Sequence, residues 1–293
     1  MASRVRTVVV LICIASALFT SVQADESSTS RLTLFPGKSA AIARILEKKK
    51  IRIGMQKDYH PFHFANPAPD RPGIDVEIVQ SLARELNVET EITYGDIPEL
   101  MRMIQRNELD MALGGISASL PRAKYVAFTD PYLISSMAAL VAIKSTTSES
   151  QSLDFRRQKL RGLSDLQNLP GLLLGVRENT TTEEVLRGSR FSQFRVKTYL
   201  THEALMNGLM SGEIDAMVGD QIHIAYLIAQ RPDLLNKFLP LLKPYGQDHL
   251  CIMFAQGDAE FANYLNFFIK EMTRSGALDA IRQKYAGSDG VQS

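Results

Sequence analysis

The chain has 293 residues, enough for about two domains, and 33 basic against 32 acidic residues give a formal net charge of +1. This balance excludes a strongly basic nucleic-acid binder and an acidic disordered chain, so no nucleic-acid partner is expected. A hydrophobic fraction of 45% with 22% charged residues is ordinary for a globular protein, and two cysteines cannot build a disulfide scaffold.

Residues 1–24 are predicted to form a cleavable signal peptide. Arg4 and Arg6 precede an apolar run from Thr7 to Phe19, and small residues lead up to Ala24. The apolar run is shorter than the roughly twenty residues that a spanning helix needs. Export with cleavage after Ala24 is therefore favoured over an uncleaved membrane anchor, and the protein is expected in the periplasm.

Removal of that segment changes the composition. It takes away Arg4 and Arg6 and leaves 31 basic residues against 32 acidic ones. It also leaves one cysteine, Cys251, in an apolar stretch typical of a buried strand, so no intramolecular disulfide is expected. Residues 25–45 are predicted to be a leader or linker, since their first part is polar and rich in serine.

From about residue 46, short apolar runs alternate with amphipathic helices, a pattern that indicates a parallel sheet with helical crossovers. The first group of predicted elements comprises strand Ile51–Met55, helix Ile74–Leu86, strand Glu91–Tyr94, helix Glu99–Arg106 and strand Asp110–Gly114. The second group comprises strand Leu173–Val176, helix Thr180–Leu186, strand Phe194–Tyr199, helix Ala204–Met210 and strand Ile214–Val218. The last elements are strand Leu250–Ala255 and helices Phe261–Arg274 and Ala277–Tyr285.

The repeated alternation predicts two α/β lobes separated by a polar stretch from Ser145 to Gln158. The final segment has no third unit to complete, so it is expected to return to the first lobe. Lobe 1 is accordingly predicted at 46–143 plus 247–288, and lobe 2 at 144–246. Because ligands of open α/β sheets lie beyond the carboxyl ends of strands, two facing lobes predict a ligand cleft.

Four groups of residues follow predicted strands, and each has a functional and a purely structural interpretation. Arg122, in the run that starts at Gly115, offers a bidentate fork for a carboxylate, or is a solvated arginine after a turn. Thr180 begins a helix with a capping box, which binds an anion or only caps the helix. Asp220 could hold an ammonium group or cap the next helix, and Tyr59 could cover a ligand or pack as a core aromatic. Two anion-binding elements and one carboxylate together suit a zwitterion.

These residues resemble the periplasmic polar-amino-acid-binding proteins of ABC importers, solute-binding family 3. The family's run G-[IM]-[ST]-x-[ST]-x-x-R-x-x-x-[VI]-x-F-[ST]-x-P-Y is matched from Gly115 to Tyr132. The resemblance extends over nearly everything from about Lys50 to Tyr285. Further matching segments are Asp58–Phe62, Gly73–Val76, Thr180–Thr181 and Ile214–Ala216 with Asp220.

The resemblance implies a two-lobed periplasmic-binding-protein fold of type II, in which each lobe is a mostly parallel sheet flanked by helices. It implies a monomer that captures an L-amino acid or related zwitterion by lobe closure and delivers it to the membrane subunits of an ABC transporter, without a cofactor. Arg122, assisted by Ser117 and Thr181, is implied to bind the ligand carboxylate and Asp220 the ammonium. The hinge crossings are implied near Ala142–Ser145 and Pro244–Asp248. The predicted ligand-binding residues are Tyr59, Gly115, Ser117, Arg122, Thr180, Thr181 and Asp220.

Three residues depart from the family pattern. Gln56 stands where binders of basic amino acids often carry an acid, which disfavours lysine or arginine as ligand. Ile97 stands where many members have an aromatic platform, and Asn179 replaces the glycine before the two threonines. Asparagine tolerates a left-handed backbone, so the turn is expected to survive.

An enzyme alternative exists on the same scaffold, because the segment around Gly115 also resembles secreted cyclohexadienyl (arogenate/prephenate) dehydratases. Their reaction needs a general acid, and His223 stands where those enzymes carry a glutamate three positions after the Asp220 equivalent. His223 is the residue expected to act if the chain is a dehydratase; otherwise no catalytic residue is predicted. The five histidines show no metal-ligand spacing, so no metal site is predicted.

Overall fold

A computed structural model describes residues 38–57, 59–145, 160–169 and 171–285, all of which belong to one compact unit. The predicted signal peptide, the leader up to residue 37 and Asp58 lie outside the described residues. Most of the polar stretch predicted between the lobes also lies outside them.

Helices and strands alternate along the described chain. The helices, numbered α1 to α9, span Ala40–Lys48, Ile74–Leu86, Ile97–Gln105, Leu120–Ala123, Thr181–Leu186, His202–Ser211, Gln221–Gln230, Ala259–Arg274 and Ala277–Tyr285. The strands, numbered β1 to β10, span Lys50–Met55, Glu89–Tyr94, Met111–Leu113, Ala127–Phe128, Leu133–Ala142, Leu173–Arg177, Arg195–Tyr199, Ala216–Asp220, Phe238–Leu250 and Met253–Phe254. Within these ranges no helix is long and apolar enough to cross a membrane.

The strands form two mixed sheets of five strands each, and the sheets define the two lobes. Lobe 1 contains the order β2-β1-β3-β10-β4, and lobe 2 contains β7-β6-β8-β5-β9. Three neighbouring strands of each sheet are parallel, while β10 in lobe 1 and β5 in lobe 2 run against their neighbours. The predicted two-lobed α/β architecture is confirmed.

The first strand shows how sequence alternation positions lobe 1. Ile51, Ile53 and Met55 point to one face and are fully buried against α2, α8 and α9. Gly54 points to the other face, where an added Cβ would lie 2.7 Å from Leu100 Cδ2 of α3. The missing side chain therefore allows α3 to pack closely on the sheet.

Strand β5 is the first structural departure from the predicted lobes. The boundary at residue 143 assigns this strand to lobe 1, but β5 pairs with β8 and β9 in lobe 2. Leu133 packs in the core of lobe 1, whereas Met137 already packs in lobe 2. The crossing between sheets thus begins about ten residues before the predicted hinge at Ala142–Ser145. Both faces of β5 are buried from Ser135 to Ala142, so its sequence shows no alternation that would assign it to one lobe.

The strand predicted at Leu250–Ala255 is divided in the structure. Leu250 ends β9, and β10 contains only Met253–Phe254. Cys251 lies between them as a free cysteine with 2% of its surface exposed, which confirms its burial but not its place in a strand. Burial raises the pKa of Cys251 to about 12, so the thiol is unreactive at neutral pH.

The predicted leader at 25–45 is wrong for its last residues, because α1 begins at Ala40. Ser39 caps this helix by accepting a hydrogen bond from the amide of Ile42, and it donates to Asp258 at 2.8 Å. Ile45 is fully buried in the core of lobe 1. Apolar residues at helical spacing after a serine are the sequence feature that indicates this helix.

We predict that Ile45→Ala lowers the free energy of unfolding by about 2–5 kcal/mol, because it removes a buried side chain and leaves a cavity. Urea denaturation monitored by circular dichroism measures the change. Lys48→Ala, an exposed substitution on the same helix, is the matched control and should stay within about 0.5 kcal/mol of the parent. Equal stability of the Ile45→Ala protein and the parent would show that α1 is dispensable.

Candidate functional site

A pocket between the two lobes brings together all seven predicted ligand-binding residues. Tyr59, Gly115, Ser117 and Arg122 come from lobe 1, and Thr180, Thr181 and Asp220 come from lobe 2. The other residues that line the pocket are Gln56, Ile97, Val176, Arg177, Thr182, His202, Leu205, Met217, Val218, Gly219, His223 and Asp248. The ligand-binding role of the seven stays a prediction; their convergence on one pocket is observed.

The buried carboxylate of Asp75 shapes the turn that follows β3. Asp75 Oδ2 accepts hydrogen bonds from the amides of Gly114 and Gly115, both at 2.7 Å. The two glycines have φ angles of +124° and +63°, a conformation that favours residues without a side chain. Burial raises the pKa of Asp75 to about 7, and the hydrogen bonds to the two amides offset only part of that effect.

Gly115 is needed for a second reason, because Tyr59 lies directly against it. A Cβ added at Gly115 would be 2.7 Å from Tyr59 Cε1. Tyr59 is 5% exposed and belongs to the core of lobe 1, yet its hydroxyl donates a hydrogen bond to Asp220 of lobe 2. The packed-aromatic interpretation and the pocket interpretation of Tyr59 therefore both describe the structure.

Arg122 is buried and spans the cleft. Its Nη1 donates to the carbonyl of Ser117 at 2.6 Å in lobe 1, and its Nη2 donates to the carbonyl of Asn179 at 2.8 Å in lobe 2. Only 7% of the residue is exposed, which excludes the alternative of a solvated arginine. Burial lowers its pKa, while the charges of Glu184 and Asp248 oppose that change, and a guanidinium stays protonated.

Beside Arg122, three side chains form a small polar network across the cleft. Ser117 Oγ donates to Asp248 Oδ2 at 2.8 Å, and Thr181 Oγ1 lies 3.1 Å from Ser117 Oγ and 3.4 Å from Asp248 Oδ2. Ser117 lies in lobe 1, Thr181 begins α5 in lobe 2, and Asp248 lies on β9. The network therefore joins the strand that returns to lobe 1 with both walls of the pocket.

The predicted helix start at Thr180 is confirmed. Thr180 Oγ1 accepts a hydrogen bond from the amide of Glu183 at 3.2 Å, and Glu183 Oε2 accepts from the amide of Asn179 at 2.7 Å. Asn179 has φ +58°, so asparagine does adopt the left-handed conformation expected of the family's glycine. This turn presents the carbonyl that Arg122 contacts.

Asp220 occupies the N-cap position of α7, but its side chain makes no capping hydrogen bond. The alternative that its carboxylate caps this helix is therefore wrong. Its Oδ2 accepts from Tyr59, and its buried Oδ1 meets no hydrogen-bond donor among the described residues. Burial, and then the nearby charge of Asp248, raises the pKa of Asp220 well above its usual range. A buried carboxyl beside a second carboxylate is suited to a cation.

Two histidines of lobe 2 pack around Tyr59. The ring of His202 stacks on Tyr59 with centroids 3.9 Å apart and planes at 9°, and His223 lies 4.8 Å from His202. His223 Nδ1 donates to the carbonyl of His60 at 2.5 Å, which fixes the hydrogen on that nitrogen. His223 thus lines the pocket, as expected for the position at which the dehydratases carry a glutamate.

Three ionisable residues that line the pocket were not singled out from the sequence as ligand contacts, namely Arg177, His202 and Asp248. Arg177 ends β6, which is parallel to β8, and Asp220 ends β8. The strand-end rule that selected Asp220 therefore also indicates Arg177. No comparable signal marks His202 or Asp248. In the described part of the chain, no group of three or more His, Cys, Asp or Glu residues is placed to hold a metal ion.

Comparison with known proteins places these features in one family. The family model described as bacterial extracellular solute-binding proteins, family 3, matches residues 51–288. The chain is 25% identical over 246 residues to the L-cystine-binding protein TcyJ of Escherichia coli strain K12, covering 84% of this chain and 86% of that protein. It is 26% identical over 224 residues to cyclohexadienyl dehydratase of Pseudomonas aeruginosa, covering 76% and 74% of the two chains.

A solved structure confirms the fold. The ancestral amino-acid-binding protein AncCDT-1, described as a precursor of cyclohexadienyl dehydratase, matches with a TM-score of 0.68 at 24% identity. The match covers 84% of this chain and 98% of that chain. The predicted two-lobed fold of type II is thereby confirmed.

We predict that Asp75 makes stability fall as pH rises from about 4 to 7. The pKa of its carboxyl is about 7 in the folded protein and 3.8 in the reference state, so the folded state binds the proton more tightly. At about 1.4 kcal/mol per pKa unit, the loss is up to roughly 4 kcal/mol.

The measurement is the free energy of unfolding of the parent minus that of Asp75→Asn, followed across this pH range. The difference should decrease with rising pH, since asparagine keeps the shape and does not titrate. Asp70→Asn, at an exposed position of the same lobe, controls for loss of a carboxylate. A difference that is constant with pH would contradict the assigned protonation.

Proposed function

This chain belongs to the bacterial extracellular solute-binding proteins of family 3, and we propose that it binds an L-amino acid or closely related zwitterion in the cleft. The bound protein then presents the ligand to the membrane subunits of an ABC importer. We further propose that it does so as a monomer in the periplasm, after residues 1–24 have been removed.

One observation carries the proposal: a buried guanidinium and a buried carboxylate face the same pocket from opposite lobes. Arg122 and Asp220 are each 7% exposed. A buried guanidinium can form two parallel hydrogen bonds with the α-carboxylate of an amino acid. Ser117 and Thr181 supply hydroxyl groups beside Arg122. The α-ammonium would donate a hydrogen bond to Asp220 Oδ1, which meets no donor within the described ranges of the chain.

Asp248 strengthens the case for a cationic group at this end of the pocket. After burial, its charge is the next cause that raises the pKa of Asp220. An ammonium group beside Asp220 would favour the ionised form of that carboxyl. Sugars lack this positive charge, and dicarboxylates would place a third negative charge next to Asp220 and Asp248.

Lobe closure and ligand capture use the same residues in this proposal. Arg122 contacts Asn179 across the cleft, and Ser117 contacts Thr181. A ligand carboxylate placed between these groups would be bound by both lobes at once. The closed form would therefore gain affinity from each wall, as hinge closure around a ligand requires.

We predict that Arg122→Met lowers the affinity for the preferred L-amino acid at least about 100-fold, since it leaves a buried carboxylate without its partner. Isothermal titration calorimetry with the twenty standard L-amino acids first identifies the ligand. Arg102→Met, an exposed arginine on α3 of the same lobe, is the control and should bind like the parent.

Asp220→Asn supplies the complementary measurement. This variant should bind the amino acid more weakly than the parent does. Its affinities for the amino acid and for the analogue without the α-ammonium should also differ less than those of the parent. Undiminished affinity in Arg122→Met would contradict the carboxylate assignment. A parent protein that binds dicarboxylates or sugars but no amino acid would refute the proposed function itself.

A second candidate function is arogenate or prephenate dehydration, and the position of His223 in the pocket favours it. If it operates, purified protein forms the aromatic product from one of these substrates, which ultraviolet absorbance detects, and His223→Ala abolishes the product. Because His223 Nδ1 donates to the His60 carbonyl, a general acid at this position would donate its proton from Nε2 of the charged imidazole. Absence of product with the parent protein would exclude this function.

A further inference from the structure

The pocket contains a second cationic side chain that the zwitterion does not use. Arg177 is the last residue of β6 and lines the pocket. Its Nε is buried and makes no hydrogen bond to any described residue. A buried guanidinium N–H without an acceptor is costly, so this atom marks a place where a ligand acceptor would be favourable.

The acids near Arg177 lie outside the pocket lining. The charges of Glu178 and Asp96 act on it, but neither residue lines the pocket. Asp96 is exposed, and its carboxylate caps α3 through the amide of Glu99 at 2.7 Å. Solvent therefore screens the attraction between Asp96 and Arg177. The side of the guanidinium that lines the pocket keeps a positive electrostatic potential.

His202 lies close to Arg177, and its burial favours the neutral imidazole. Burial lowers its pKa well below the usual range, and positive charge on His223, Arg177 and His60 adds to that effect. Its Nδ1 is buried without a hydrogen-bond partner among the described residues, while its ring stacks on Tyr59. The part of the pocket next to Arg177 is consequently electropositive, and it contains the polar Nδ1 atom of His202.

The charges that act on Arg177 do not include the two carboxylates that line the described pocket. The two that line the pocket are Asp220 and Asp248, which face each other at the predicted ammonium site. Gln56 is neutral, and its amide donates to the carbonyl of Gly114 at 2.5 Å. A ligand with a positive side chain would therefore meet Arg177 without a carboxylate to bind.

We propose that the cleft selects an amino acid that carries a second anionic group, and that Arg177 binds this group with His202 beside it. The inference rests on the proposed function, since Arg122 and Asp220 bind the two α-substituents. The second group is a carboxylate, phosphate or sulfonate of the side chain. Arg177 is then the residue that determines specificity, and it excludes lysine and arginine by charge repulsion.

The test compares matched pairs of ligands that differ in charge and little in shape. The probes are L-aspartate with L-asparagine, L-glutamate with L-glutamine, and O-phospho-L-serine with L-serine, with L-lysine as the cationic probe. Calorimetry on the parent protein should show at least tenfold tighter binding of the anionic member in one or more pairs, and no tighter binding of L-lysine.

Variants at Arg177 then separate a ligand contact from a structural role. Arg177→Met should weaken the anionic member about 10- to 100-fold and change the neutral member less than threefold, because a charged hydrogen bond is lost only with the former. Arg177→Lys keeps the charge and should fall between them. Arg231→Met removes the same charge from an exposed pair with Asp233 in the same lobe and should leave both affinities unchanged.

Three results would overturn the inference. The first is that neutral or cationic amino acids bind the parent as tightly as the anionic ones. The second is that Arg177→Met weakens binding of both members of a pair equally, which would assign Arg177 to the α-carboxylate or to the fold. Failure of every amino acid to bind would overturn the proposed function together with this inference, whereas tight binding of glutamine alone would leave the proposed function intact.

Discussion

The buried Asp75 carboxylate accepts hydrogen bonds from the amides of Gly114 and Gly115, and the arrangement of the cleft depends on these two bonds. Consecutive amides converge on one acceptor here because both glycines adopt positive φ angles. The resulting turn leaves room for Tyr59 and leads the chain into the segment that carries Arg122. Because the carboxylate is fully buried, its protonation is linked to folding, and the turn gains its two hydrogen bonds at the expense of desolvating an acid.

Burial also makes the charges of the pocket depend on one another. Burial and the charge of Asp248 disfavour ionisation of Asp220, so a cation near Asp220 is favourable and a further anion is unfavourable. The guanidinium groups of Arg122 and Arg177 line the same pocket and favour anionic groups. A ligand with one positive and two negative groups satisfies all of these charges. The formal net charge of +1 for the whole chain says nothing about this local pattern.

The two sheets, most of their elements and the convergence of seven residues could be predicted from the sequence, because alternating strands and helices and one specific motif carry that information. The orientation of Asp220 could not, since a strand-end carboxylate has the same spacing whether it caps a helix or faces a cleft. The lobe assignment of β5 also required the structure, because a strand buried on both faces gives no alternation. Helix α1 was obscured by the polar segment before it, although Ser39 and the spacing of Ile42 and Ile45 indicate it. Arg177 ends the strand next to the one that Asp220 ends, so its sequence position indicates the same edge of the sheet.

The residues that join the lobes are the same residues that surround the ligand site. Tyr59 reaches Asp220, Arg122 reaches Asn179, and Ser117 meets Thr181, so each of these cross-lobe contacts engages at least one predicted binding residue. In the proposed complex, a ligand carboxylate would compete with backbone carbonyls for Arg122, and an ammonium would compete with Tyr59 for Asp220. Binding would then exchange polar contacts between the lobes for contacts of higher charge, and charge-assisted hydrogen bonds in a buried site are the stronger of the two kinds. The proposed ligand would therefore favour lobe closure through its charged groups.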